Sequence, residues 1–205
     1  PNNKYSEEAM MMSAEMAYIA KDYVQSLEWY KLLKDRASTP ERRQIAATGM
    51  LRSAAMSGNG EETILAATAV LADAKVAPEL ESEARHYRSK ALVEANQLTH
   101  AVADWEALAK DTRNVYGAEA KYRLAQYLFD SGKTKEAEQE VLNYLEVSTP
   151  HAYWLARSFV LLSDIYAKLD RKLEARQYLL SLKQNYQADD DIAGMIESRL
   201  ENLSE

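Results

Sequence analysis

Cysteine is absent from this 205-residue chain, and proline and glycine are scarce, at four and six residues. Without cysteine there is no disulfide framework, no thiolate nucleophile and no cysteine-ligated zinc, and the chain suits oxidising and reducing compartments alike. So few turn formers exclude an all-β fold, whose short strands need a turn signal every ~8–12 residues. No apolar run approaches the ~18 residues of a membrane-spanning helix. Basic clusters are missing as well. The net charge of −7 is spread evenly and no repeat-length segment is net positive, whereas phosphate-backbone binding needs grouped Lys and Arg; no nucleic-acid partner is expected. What remains is 47% hydrophobic and 28% charged residues, enough for a packed core and too apolar for disorder.

An internal period organises this material. Pro40, Pro78 and Pro150 lie 38 and then 72 residues apart, and two of them follow the same triplet, Ser38-Thr39-Pro40 and Ser148-Thr149-Pro150. Thr at an N-cap accepts an amide hydrogen bond, worth about 1 kcal/mol, and Pro at the first helical position gives up no needed donor. Both triplets are therefore predicted to start helices. Without gaps, Ser89, Leu92, Ala101 and Trp105 fall on Ala125, Leu128, Ala137 and Val141, and then on Ser163, Tyr166, Ala175 and Leu179. The same register reaches back to Thr63 with Leu51, and to Ser26 with Ala14.

Five units result, at 5–38, 39–77, 78–113, 114–148 and 149–187, followed by a capping helix over 189–203, all in one domain spanning 1–205. Apolar spacings such as Phe159, Leu162 and Tyr166 make each unit two helices, with Gly132 or Gly58-Asn59-Gly60 at the turn. The predicted helices are 5–19, 22–36, 40–57, 61–74, 79–95, 99–110, 115–130, 134–146, 150–168, 171–186 and 190–203. The expected fold is all-α.

The pattern Leu124-Ala125, Leu128, Gly132, Ala137, Val141, Tyr144, repeated as Leu162-Ser163, Tyr166, Ala175, Leu179, Leu182, resembles the tetratricopeptide repeat. The period is 36–38 rather than 34, and Thr63 and Ser26 stand where alanine is usual, so a HEAT-like helical array is the alternative. The stretch from Ala152-Tyr153-Trp154-Leu155-Ala156-Arg157 onward is similar to the ends of large bacterial multi-repeat proteins of this family. The resemblance implies a right-handed α-α superhelix of about five helix pairs, in which the first helix of each unit lines a concave groove for a partner segment. Carried over position by position, the lining is Met11, Glu15 and Tyr18; Thr48 and Arg52; Glu83, His86 and Lys90; Tyr122, Gln126 and Phe129; and Arg157, Val160 and Asp164. The Lys/Asn pairing that clamps terminal carboxylates in chaperone-tail binders has no counterpart here, so acidic C-terminal tails are not expected to bind.

The ends of the array differ. In 190–203, Ile192, Met195, Ile196, Leu200 and Leu203 share a face, with Glu197, Arg199 and Glu201 opposite, as a solubilising cap requires. Asp189-Asp190-Asp191 precede it, where negative charge suits the helix dipole. At the other end Met10, Met11, Met12 and Met16 cover several faces of one helix, either as core filling or as a surface for upstream repeats or self-association. The start at Pro1, with no signal-peptide pattern, reads as a piece excised from a longer protein.

Catalytic signatures are not met. Gly132-Lys133-Thr134 lacks the upstream glycine of a phosphate loop, position 127 being Tyr, and Gly58-Asn59-Gly60 lacks the strand of a dinucleotide fingerprint. His86, His100 and His151 have no metal spacing, and surface roles are expected for His100 and His151. Neither catalytic residues, metal nor cofactor are predicted. The expected function is a non-catalytic protein-interaction scaffold, the alternative being a sensor for a small ligand or short peptide.

Overall fold

A computed structural model describes residues 4–203; the expected cut at Pro1 lies outside the described residues. Among them are eleven α-helices and no strand. These are α1 (Lys4–Ile19), α2 (Tyr23–Arg36), α3 (Pro40–Ser57), α4 (Gly60–Leu71), α5 (Pro78–Glu94), α6 (Leu98–Leu108), α7 (Val115–Asp130), α8 (Thr134–Leu145), α9 (Ala152–Lys168), α10 (Lys172–Asn185) and α11 (Ile192–Asn202). No helix is long and apolar enough to cross a membrane.

The chain divides into two compact units between Asp104 and Trp105. In the first, α1 to α4 each pack on the next helix in sequence, and α3 also touches α1 and α5. In the second, α7 to α10 do the same, α7 also touches α9, and α11 lies on α9 and α10. Consecutive packing with contact between alternate helices is the pattern of a helical-repeat solenoid.

The period is written most clearly in the backbone. Five residues between paired helices have positive φ: Lys21 (62°), Gly58 (73°), Asn96 (58°), Gly132 (77°) and Asp170 (61°). They recur at intervals of 37, 38, 36 and 38 residues. Four of these turns carry the paired bonds of a Schellman motif. In one of them the Asn96 amide donates to the Val93 carbonyl and the Gln97 amide to Leu92. The Lys21, Gly132 and Asp170 turns repeat this arrangement. The Gly58 turn makes only the shorter bond, to Ala55, and Asn59 caps α4 by accepting from the Glu62 amide.

A left-handed conformation costs a non-glycine residue about 1–2 kcal/mol, against about 0.5–1 kcal/mol for the extra freedom glycine loses on folding. Lys21→Gly therefore raises the stability of the first unit by about 0.5–1 kcal/mol. A urea midpoint at or below that of the unaltered chain overturns this.

The predicted register is the register of the core. Ala14, Leu51, Ser89, Ala125 and Ser163 are all buried, as are Ser26, Thr63, Ala101, Ala137 and Ala175. Where alanine is replaced, the hydroxyls find partners: Ser26 donates to the Ala14 carbonyl at 2.9 Å and lies 2.9 Å from the Ser53 hydroxyl, and Thr63 donates to the Asn59 carbonyl at 2.8 Å. Satisfied in this way, a buried hydroxyl is tolerated. Met10, Ala14, Tyr30, Leu33 and Ala46 form one core cluster of the first unit and Leu51, Ala66, Ala67, Val70 and Ala84 another.

The two proline triplets do not behave alike. Thr39 caps α3 by accepting from the Arg42 amide, with Pro40 as first residue. Thr149 starts no helix. Its hydroxyl donates to the Thr112 carbonyl at 2.8 Å and accepts from the His151 amide, Pro150 stays outside, and α9 begins at Ala152. The second triplet thus pins one loop to another. His151 joins this tie, its Nε2 lying 2.9 Å from the Arg113 carbonyl, and it is half-buried rather than a plain surface residue.

Candidate functional site

In the first unit, the inner positions of α1 and α3 meet. Glu15 and Tyr18 from α1 and Thr48 and Arg52 from α3 line a single open cavity of about 510 Å³, floored by Tyr30 and Gly49. The register brought the first four together. The last two were not foreseen, because their role depends on how α2 lies against α3. The Tyr30 ring covers Gly49 so closely that a Cβ there would overlap it. Tyr18 is braced edge-on by Tyr23, with ring centroids 5.2 Å apart.

Charge in this cavity is unevenly paired. Arg52 donates through Nε and Nη2 to the two carboxylate oxygens of Glu83, both at 2.8 Å. This bidentate bond holds the guanidinium above its ordinary value. Glu15 is exposed and makes no ion pair among the described residues. Glu41, also on the wall, is held below the usual carboxylate range by its own amide and by the Thr39 hydroxyl. Tyr30 is 8% exposed and its hydroxyl makes no hydrogen bond among the described residues. Burial first, then the Glu15 charge, push its phenol up, so it stays a donor.

In the second unit the predicted lining is already engaged. Tyr122 is buried and donates to Gln126 at 3.1 Å, while its hydroxyl accepts from Arg157 at 2.8 Å. The Arg157 guanidinium also lies 5.0 Å from the Tyr122 ring centroid and reaches Asp191 at 3.3 Å. Asp164 accepts a bidentate bond from Arg199, both contacts at 2.8 Å. Arg199 was expected on the outer face of the cap; it turns inward because this carboxylate awaits it. Between these groups, Val160 and Met195 leave about 140 Å³. The buried faces of α11 are Ile192 and Ile196, and Asp190, the middle aspartate, accepts from the Ile192 amide and from the Tyr186 hydroxyl.

The other predicted positions lie apart. Glu83 is taken by Arg52, as above. His86 packs beside Tyr87, and Lys90 is exposed at a separate small recess that Tyr87 also lines. Phe129 packs against the core of the second unit. Met11 packs against the first core cluster, and Met12 and Met16 are exposed with Ile19.

The sequence reading passed over Asp104, which is fully buried, bonded to Arg88 at 2.7 and 2.8 Å and to Arg85 at 3.2 Å. No three His, Asp or Glu side chains among the described residues could hold a metal ion. Compared with protein-family models and with curated proteins, the chain matches none.

Proposed function

We propose that this chain is a non-catalytic helical-repeat module of the tetratricopeptide type and that it holds a segment of a protein partner in the inner groove of its first unit. The observation that carries this reading is the cavity of about 510 Å³ on which Glu15, Tyr18, Thr48 and Arg52 converge. These are the positions from which repeat arrays present side chains to extended partners, and an aromatic and charged lining suits a few anchor residues. A second reading rests on the same volume, which falls within the ~300–1,000 Å³ typical of small-ligand pockets.

A library of random dodecapeptides displayed on phage and selected on the whole chain tests the groove. Selected peptides bind the unaltered chain, and Thr48→Trp, which fills the cavity, weakens them more than about tenfold with helical circular dichroism unchanged. If no selected peptide responds to Thr48→Trp, the reading fails. A metabolite that raises the thermal midpoint, and does so only with Thr48 intact, selects the small-ligand alternative.

A further inference from the structure

The geometry points to a cationic side chain, a lysine or arginine of the partner segment, as the group this cavity selects; the inference rests on the groove reading above. Three features of the cavity agree on that chemistry. The first is charge. Among the described residues Arg52 is the one cation lining the cavity, and its charge is matched by a bidentate pair with Glu83. Glu15 and Glu41 remain without a cation in bonding contact among the described residues. A cavity with low-dielectric walls and surplus negative charge concentrates cations. An anionic ligand would meet a guanidinium whose charge Glu83 already matches through a bidentate pair, with Glu15 and Glu41 opposing it from the same wall.

The second is the Tyr30 hydroxyl. The Tyr30 ring is buried, while its hydroxyl meets no protein hydrogen-bond partner among the described residues and lies on the cavity side of a residue that lines it, so a ligand can take the place of solvent there. Its oxygen can accept from an ammonium or guanidinium while Glu15 supplies the opposite charge. The third is the aromatic wall. Tyr18, braced by Tyr23, lines the cavity and gives it an aromatic wall for the alkyl stem and charged head of a long basic side chain. Gly49 lets the Tyr30 ring lie flat on α3, so the floor is set before any ligand arrives.

The dodecapeptide library described above, selected on the whole chain, is the probe. Enriched peptides carry Lys or Arg at one fixed position, and Glu15→Gln weakens them about tenfold. Replacing that peptide residue by Gln costs a similar factor, and combining the two changes costs little more than either alone. Tyr30→Phe keeps the ring on Gly49 and weakens binding roughly three- to tenfold without lowering the urea midpoint. Peptides that respond to Thr48→Trp but are acidic or uncharged, or that ignore Glu15→Gln, overturn cation selection and leave groove binding standing. A Tyr30→Phe variant with lowered stability and unchanged affinity removes Tyr30 from the recognition. If no peptide responds to Thr48→Trp, both readings fall together.

Discussion

Asp104→Ala lowers the stability of the first unit by about 3 kcal/mol. The carboxylate is fully buried and gathers two guanidinium groups, Arg88 through a bidentate bond and Arg85 through one contact. Removing one member of a buried ion pair typically costs 3–5 kcal/mol, because the partner is left charged and unmatched. Here the lower end applies: Arg85 and Arg88 keep 26% and 22% of their side-chain exposure and recover some hydration. Arg85 also keeps Glu81, and Arg88 keeps Thr68. Hydrogen exchange read by mass spectrometry is the appropriate measurement, because it separates the two units. Faster exchange in α5 and the start of α6, with α9 and α10 unchanged, is the expected pattern. Protection in α5 equal to that of the unaltered chain would show that the carboxylate is dispensable.

Gly117→Ala destabilises the second unit by about 2–3 kcal/mol. The reason is a close approach of backbone, not a special torsion. A Cβ at Gly117 would overlap the carbonyl groups of Leu108 and Asp111, where the chain leaves α6 and turns into α7. Side chains can rotate away from a clash; carbonyls held in a turn cannot do so without moving the turn. That turn is further tied by the Thr149 hydroxyl on the Thr112 carbonyl and by His151 beside the Arg113 carbonyl, so displacement spreads to the start of α9. The check is the urea midpoint of Gly117→Ala beside that of Gly194→Ala, a helical glycine with open space where its Cβ would stand. Gly194→Ala gains up to about 1 kcal/mol through helix propensity. Equal midpoints for the two variants would contradict the close-approach account.

The fold could be read from the sequence because the repeat places small residues where helices cross, and small residues are conspicuous among Leu and Tyr. Ser89, Ala125 and Ser163 announce the first helices, and Ala101, Ala137 and Ala175 the second. The turns were only partly legible. Gly58 and Gly132 are recognisable by type, whereas Lys21, Asn96 and Asp170 take the same left-handed backbone because the Schellman bonds around them require it. Thr149 shows the opposite error: an identical triplet met a neighbouring carbonyl and became a loop tie instead of a cap. Of the candidate site, register alone brought Glu15, Tyr18, Thr48 and Arg52 to one place. Tyr30 and Gly49 needed the packing of α2 on α3, and Asp104 needed two arginines from a different helix. Such cross-helix encounters leave no periodic trace in a single chain.

The ion pairs around α11 bear on the groove reading, because they limit where that reading can place an outside segment. Arg199 on Asp164 and Asp191 on Arg157 place the C-terminal helix on the residues that would otherwise greet a visitor in the second unit. That helix behaves as a ligand supplied in cis. It is always present at high effective concentration and is held partly by contacts that salt weakens. Under the groove reading, a partner segment at the second unit would have to displace this helix, which is why that reading assigns the segment to the first unit.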